Sequence, residues 1–313
     1  MPDAPGPRPR SFPGLPGLIR PALPRRALWR SIAGTCLLGA GLMAVSAGTG
    51  VLAARAIGME APPEGTLPPL AQIFILAGYL FTWPLLWLTL RLFHRRPVTS
   101  LLGRGPLWPD YLRGLGLAAG FALAGALMVL ASAGPPEPVP GAPLALIALA
   151  VPLLFVQTAA EEMVFRGYLL QQMAAHFRSP LAWAVLPSVL FGVLHFNPFG
   201  GLMEGALVVF WAAGLGLVLA LITARTGRLS AAMGIHFVNN VVALLLVGER
   251  DAMLGLAHWA WPQVPVGPAS FVLVPVGLWL FGLACWKALP VPPPDAGPPQ
   301  AASAGEAEPR PGG

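Results

Sequence analysis

Two adjacent carboxylates, Glu161 and Glu162, end an apolar segment of this sequence, and Arg166 follows four residues after the second acid. Residues four apart share one face of a helix, so we expect Glu162 and Arg166 to pair. Glu161 is rotated about 100° from Glu162 around the helix. The spacing therefore predicts one structural acid and one acid that is available for chemistry. The alternative is a charged interfacial turn that ends a membrane span.

Two histidines lie in later apolar segments. His195 follows Phe191 by four residues, and an isolated histidine at this depth could equally be a packing residue. His236 and Asn240 are also four apart and project from one face of a third segment. Polar side chains of this kind also join helices inside membranes, which is the alternative for this pair. The other histidines are assigned to loops or to the membrane boundary: His94, His176 and His258.

A carboxylate, two imidazoles and an amide are the groups that hydrolysis requires. A carboxylate can remove a proton from water, and histidine and asparagine can donate to the oxyanion that forms on a peptide carbonyl. Glutamate and histidine could instead hold a zinc ion that activates the water. The H-E-x-x-H signature of one zinc protease class is absent. Covalent catalysis is not indicated, because no serine or cysteine with a nucleophile signature lies near these histidines.

The composition indicates that membrane helices position these groups. Of the 313 residues, 56% are hydrophobic and only 10% are charged, and the mean hydropathy is +0.69. Soluble domains carry about 25% charged residues, so lipid is the predicted solvent for most of the chain. The net charge of +6 comes from basic residues that flank apolar spans. This arrangement indicates membrane topology, and we expect no nucleic-acid partner.

Eight apolar segments are long enough to cross a bilayer, which takes about 20 helical residues. We place them at 31–54, 69–90, 112–133, 143–165, 181–199, 202–223, 229–247 and 265–286. The predicted fold class is an all-α, polytopic membrane helix bundle with about eight transmembrane helices. The predicted divisions are three N-terminal helices over 31–142, a core over 143–247, a last helix over 248–289, and disordered Pro-rich tails over 1–30 and 290–313.

Basic residues are concentrated on one side of this topology. Seventeen of the nineteen lysines and arginines fall on the side of the N-terminus, and only Arg55 and Arg250 fall on the other. Because basic residues stay on the cytoplasmic side of membranes, we predict a multi-pass cell-membrane protein whose N- and C-termini are both cytoplasmic.

The polar residues form three motifs that resemble those of the CPBP family. This family contains the CAAX proteases and the bacteriocin-processing (Abi) membrane proteins, related to the type II CAAX prenyl endopeptidase. The resemblance covers about 143–247, and a stretch at 226–230 is also similar. The motifs, in their order along the chain, are Glu161-Glu162-x-x-x-Arg166, Phe191-x-x-x-His195 and His236-x-x-x-Asn240.

The resemblance implies an eight-helix bundle whose site opens toward the cytoplasm. It also implies an intramembrane endopeptidase that acts on a membrane-associated peptide or protein. Glu161 would be the general base, and His195 would assist in activating the water. His236 and Asn240 would stabilise the oxyanion.

The same resemblance assigns Glu162 and Arg166 to holding the site together. Both a metal-dependent and a metal-free, glutamate-dependent mechanism are compatible with it. If the reaction uses a metal, for which zinc is the candidate, the implied ligands are Glu161, His195 and His236.

Two other functional classes stay open on the sequence. A non-catalytic membrane protein, such as an immunity or sequestering factor, would need the scaffold but not the free acid. An ion-coupled transporter would also place Glu and His in membrane spans, but it predicts inverted repeats, which we do not find. One geometric conflict remains, because His195 lies about 21 Å into its predicted span and His236 only about 10 Å into its own.

Overall fold

The structure is a computed structural model that describes residues 11–58, 68–196, 201–248, 255–261 and 267–291. Six helices in this part of the chain are apolar and long enough to cross a membrane: Leu28–Ala56, Pro69–His94, Leu107–Ala133, Leu144–His176, Leu202–Thr226 and Ser270–Ala288. Two shorter apolar helices, Leu181–Val193 and Ser230–Leu246, complete the bundle. The predicted all-α polytopic membrane bundle is thereby confirmed. The orientation of the termini stays a prediction.

Eleven α-helices follow one another along the described residues. They are α1 (Leu15–Ile19), α2 (Leu28–Ile57), α3 (Pro69–Gly78), α4 (Thr82–Thr89), α5 (Leu107–Ala133), α6 (Leu144–Glu162), α7 (Leu170–His176), α8 (Leu186–Val193), α9 (Leu202–Thr226), α10 (Ser230–Val241) and α11 (Ser270–Ala288). Three two-residue strands are β1 (Glu137–Pro138), β2 (Val247–Gly248) and β3 (Trp259–Ala260). Strand β3 pairs antiparallel with β1 and parallel with β2. This small sheet joins the connection before α6 to the one after α10.

A π-helical segment, Met163–Leu169, begins directly after Glu162 and joins α6 to α7. The combined helix Leu144–His176 has 33 residues, so the two acids lie near its middle and not at its end as predicted from the apolar pattern. The prediction failed because buried polar side chains, Gln171 and Gln172, continue the helix beyond Arg166. π-Helical turns inside α-helices are frequent at functional sites.

Helices α5 and α10 approach each other closely at two glycines. A Cβ on Gly114 would overlap the carbonyl oxygen of Ala231, and a Cβ on Gly234 would overlap that of Tyr111. Small residues allow such backbone contact between membrane helices. The contact fixes the position of α10, the helix that carries His236.

The N-terminal segment over 11–26 is folded, so the predicted disorder of 1–30 is wrong for this part. Leu15, Leu18 and Ile19 are buried, and α1 packs against α7 and α9. The Gly14 amide donates to the Arg225 carbonyl over 3.1 Å. The prediction of disorder rested on the proline-rich composition and overlooked a short apolar pattern with i, i+3, i+4 spacing. Residues 1–10 and 292–313, the rest of the predicted tails, lie outside the described residues.

Candidate active site

The site centres on His236, which lies between the two adjacent acids of α6. Its Nδ1 lies 2.8 Å from Oε1 of Glu162, and its Nε2 lies 3.5 Å from Oε2 of Glu161. Because a carboxylate only accepts hydrogen bonds, Nδ1 is assigned as the donor to Glu162. In the neutral ring, Nε2 is then an acceptor that faces Glu161.

Glu162 is fully buried and tied in place from two directions. Its Oε1 also accepts a hydrogen bond from Nη1 of Arg166 over 2.7 Å, so the predicted pairing of Glu162 with Arg166 is confirmed. The exposed fractions are 0% for Glu162, 2% for Arg166 and 3% for His236. Such a desolvated charge pair is stable only with close geometry and further hydrogen bonds. His236 supplies one of them.

Glu161 lies outside this pair, as its angular position predicts. It is 8% exposed, and its Oε2 has no hydrogen-bond partner among the described residues. Leaving a buried carboxylate oxygen without a donor is costly. A ligand that donates a hydrogen bond to Glu161 Oε2 would remove this cost; Glu162 Oε2 also lacks a partner in the described residues, but Glu162 is already paired with Arg166.

Tyr79 and Gln157 also belong to the site, and the sequence reading missed both. The Tyr79 hydroxyl is within hydrogen-bonding reach of the side chains of Glu161 and Gln157. Gln157 Oε1 in turn accepts a hydrogen bond from Asn240 Nδ2 over 2.8 Å. Two features of the sequence could have indicated these residues. Tyrosine is scarce, with three in the chain, and Gln157 precedes Glu161 by four residues and so lies on the same helix face. These contacts link Asn240 to Glu161.

His195 contacts the ring of Phe191, which in turn contacts His236. Helix α8 ends at Val193, and His195 lies in the turn that follows, where its Nδ1 donates to the Phe191 carbonyl over 2.7 Å. The Phe191 ring centroid lies 4.4 Å from that of His195 and 5.7 Å from that of His236. The predicted span 181–199 is therefore too long on the described residues. His195 lies just beyond the end of a short helix.

Phe191 and Gly216 together enclose the Arg166 side chain. The guanidinium carbon of Arg166 lies 4.6 Å from the Phe191 ring centroid, a favourable cation–π distance. On α9, a Cβ at Gly216 would lie 2.9 Å from Arg166 Nη2. Because glycine has no side chain, there is space for the guanidinium of Arg166 at this position.

The connection between α9 and α10 is held by a buried ion pair. Arg228 Nε donates to Asp110 Oδ2 over 2.6 Å, and Arg113 Nη1 donates to Asp110 Oδ1 over 2.8 Å. Asp110 belongs to α5, so the pair ties the start of α10 to the helix on which α10 packs. The stretch 226–230, similar to the CPBP family in sequence, thus positions the helix of His236.

The implied metal ligands do not come together as one set of donors. Across the described ranges, no three His, Cys, Asp or Glu side chains form a group that could hold a metal ion. The Phe191 ring contacts the rings of both His195 and His236, and Glu162 Oε1 already accepts hydrogen bonds from Arg166 and His236. The metal role of Glu161, His195 and His236 stays a conditional prediction.

An apolar cavity of about 290 Å³ borders α6 and α10. It also borders α5 and the turn Val98–Leu101. Its walls are Trp83, Val98, Thr99, Leu102, Leu107, Trp108, Tyr111, Phe155, Ala159, Met163, Ser230 and Met233. Two polar groups in these walls, Trp83 Nε1 and Ser230 Oγ, are buried without a hydrogen-bond partner in the described part of the chain.

The bundle and its buried polar network define a polytopic membrane protein whose carboxylates and imidazole meet between helices. Residues 143–242 match the model of the family described as Type II CAAX prenyl endopeptidase Rce1-like. The family resemblance that the three motifs indicate is confirmed over this segment. The uncharacterized protein YyaK of Bacillus subtilis (strain 168) is 28% identical over 221 residues, which are 66% of this chain and 72% of that protein. No solved structure matches the chain.

Proposed function

We propose that this chain is an intramembrane endopeptidase that hydrolyses a peptide bond of a membrane-associated peptide or protein with water activated by Glu161. At the level of the family, the match over 143–242 supports a CAAX-type intramembrane protease. The observation that carries the proposal is the buried Oε2 of Glu161, which lacks a hydrogen-bond partner among the described residues and lies 3.5 Å from an imidazole nitrogen.

In the proposed reaction, Glu161 removes one proton from a water molecule whose oxygen attacks the peptide carbonyl carbon. The carbonyl oxygen becomes an oxyanion in the tetrahedral intermediate. Collapse of this intermediate breaks the C–N bond, and Glu161 returns the proton to the leaving amine. The products are a carboxylic acid and an amine, which together contain the atoms of the one water molecule consumed, and the acid then releases its proton to solvent.

The proposed donors to the oxyanion are His236 and Asn240. One hydrogen of Asn240 Nδ2 is directed at Gln157, and the second is the one proposed for the oxyanion. His236 donates from Nε2 once that nitrogen carries a proton. Glu162 and Arg166 act as positioning residues, because they fix the Nδ1 side of the His236 ring.

We propose that the apolar cavity beside α6 and α10 accepts an apolar group of the substrate. Ala159 and Met163 line it from the helix that carries Glu161, and Met233 lines it one turn before His236. A largely apolar pocket with few polar groups is typical of ligand sites. His195 keeps its predicted role as an assistant in water activation, although it contacts Phe191 rather than the acids.

The test is cleavage by purified protein reconstituted in lipid vesicles, offered a panel of membrane-anchored peptides and assayed by mass spectrometry of the fragments. We expect the wild type to cleave at least one peptide, and Glu161→Gln to lower that rate by about 100-fold or more. The matched control is Glu204→Gln, which makes the same change at an exposed acid and should keep the activity.

The proposal fails if every peptide that the wild type cleaves is cleaved equally by Glu161→Gln. It also fails if the wild type cleaves nothing across a broad panel while remaining folded. Either result would favour a non-catalytic role for the same scaffold.

A further inference from the structure

A second cavity lies where the helix Pro69–His94 ends, about 22 Å along that helix from Tyr79. Its volume is about 470 Å³. Its lining residues are Trp87, Arg91, Arg95, Arg96, Pro97, Val98 and Thr99. Three of these seven residues are arginines, which makes the cavity strongly basic.

The positive charge of this cavity is not balanced by neighbouring carboxylates. Within the described ranges, none of Arg91, Arg95 and Arg96 forms an ion pair with an acidic side chain. Desolvation, followed by the charges of Arg95 and Arg30, lowers the pKa of the nearby Arg25 guanidinium. Like charges therefore meet here, and an anion would relieve their repulsion.

Arg96 holds donors that have no protein acceptor. Its Nη1 donates to Gln171 Oε1 over 2.6 Å, whereas Nε and Nη2 are buried without a partner among the described residues. Burial lowers the pKa of Arg96 to about 10, so the side chain is still cationic at neutral pH. A phosphate offers several acceptor oxygens that match the fork of a guanidinium.

The backbone at Arg95 is strained. Its φ angle is 50°, and it is the one non-glycine residue with positive φ in the described part. Left-handed backbone is disfavoured for such residues and recurs at ligand sites. This turn allows Arg91, Arg95 and Arg96 to line the same cavity.

One wall of the cavity is an exposed apolar side chain. Trp87, which lines the cavity, is 57% exposed and belongs to a helix that is long and apolar enough to cross a membrane. Tryptophan is enriched at the level of lipid headgroups, and basic pockets between membrane helices bind anionic headgroups. An exposed apolar side chain next to free guanidinium donors matches a lipid better than a soluble anion.

We propose that this cavity binds the phosphate of an anionic phospholipid, held by Arg91, Arg95 and the unpartnered nitrogens of Arg96, with an acyl chain along Trp87. The three arginines of this site are not among the residues proposed for hydrolysis, although Val98 and Thr99 line both this cavity and the one proposed for the substrate. The bound phospholipid occupies one position at the protein surface, on the side of the membrane where arginines are concentrated.

The test is native mass spectrometry of the purified full chain, titrated with phosphatidylglycerol or with phosphatidylcholine of the same acyl chains. We expect the wild type to bind phosphatidylglycerol about tenfold more tightly. Arg91→Gln/Arg95→Gln should remove this preference, and Arg96→Gln should reduce it. The matched control, Arg104→Gln/Arg178→Gln, removes the same charge from exposed sites and should keep the preference.

A competition with glycerol phosphate identifies the source of the phosphate. A lipid site predicts that glycerol phosphate does not displace phosphatidylglycerol at equal concentration. Displacement at equal concentration would overturn the lipid assignment in favour of a soluble anion. Equal binding of the two lipids to the wild type would overturn the proposal, as would an equal loss of preference in the double variant and in its control.

Discussion

The imidazole of His236 connects two acids that are adjacent in sequence but face different directions. Its Nδ1 lies 2.8 Å from Oε1 of Glu162, and its Nε2 lies 3.5 Å from Oε2 of Glu161. The first contact orients the ring, and the second places a titratable nitrogen beside the acid that is free of Arg166. His236 therefore contacts both the structural acid, Glu162, and the available acid, Glu161.

The buried ion pair of Glu162 with Arg166 should dominate local stability. Replacement of Arg166 by methionine leaves Glu162 as a buried carboxylate without its cation, which should lower the free energy of unfolding by about 3–5 kcal/mol. Denaturant unfolding of the purified protein in detergent measures this loss. Arg113→Met is the control and should cause a smaller loss, because Arg113 is 50% exposed and its buried partner Asp110 keeps the ion pair with Arg228. Equal losses in both variants would contradict the assignment.

The two histidines of the motifs should differ in importance. His236→Asn removes the nitrogen that faces Glu161 and should lower kcat/KM by about 100-fold or more. His195→Asn should lower it by about tenfold or less, because its contacts are with the ring and the carbonyl of Phe191 and not with the acids. Peptide cleavage in vesicles measures both, with thermal unfolding as the check of folding. A loss at His195 as large as that at His236 would show that His195 acts directly on the reacting water.

The Tyr79 hydroxyl should contribute to the reaction although no motif contains it. Tyr79→Phe removes a hydroxyl that lies close to Glu161 and that can donate to it in the reaction, and hydrogen bonds to charged groups contribute about 1.5–3 kcal/mol. We expect kcat/KM to fall by about 10- to 100-fold. Thr82→Val is the control, because it removes a buried hydroxyl one turn later that has no partner among the described residues. An unchanged rate in Tyr79→Phe would remove this residue from the proposed site.

Gly216 should tolerate no side chain because it packs against Arg166. In Gly216→Ala, the new Cβ would lie 2.9 Å from Arg166 Nη2 and 3.3 Å from Ser188 Cβ. We expect a loss of about 1–3 kcal/mol in stability, together with lower activity as Arg166 shifts.

Gly116→Ala is the matched control for this substitution. No atom lies within 4 Å of a Cβ at Gly116, so alanine there should be neutral or stabilising by up to about 1 kcal/mol through helix propensity. Denaturant unfolding distinguishes the two variants. Equal stability of both would show that Arg166 adapts to the alanine at no cost.

The sequence predicted those parts of the fold that depend on composition and local spacing. A low fraction of charged residues predicted membrane helices, and the interval of four residues predicted the pair of Glu162 with Arg166. The apolar pattern did not predict that α6 continues through a π-helical segment to His176. The later turns of this helix bury polar residues against protein instead of lipid. The folded segment over 11–26 was missed for a related reason, since its few apolar residues are stabilised by contacts with α7 and α9.

By itself the sequence determined that polar side chains lie inside a membrane bundle, and it determined which of them share a helix face. The tertiary structure decided which of them meet. His236 reaches Glu162 across 74 residues of chain, Tyr79 lies close to Glu161 from the helix Pro69–His94, and the Phe191 ring contacts the rings of both histidines. The physical reason is that these contacts depend on how closely helices approach, as α5 and α10 do at Gly114 and Gly234. Helix spacing of this kind is set by packing across the bundle rather than by intervals along one helix.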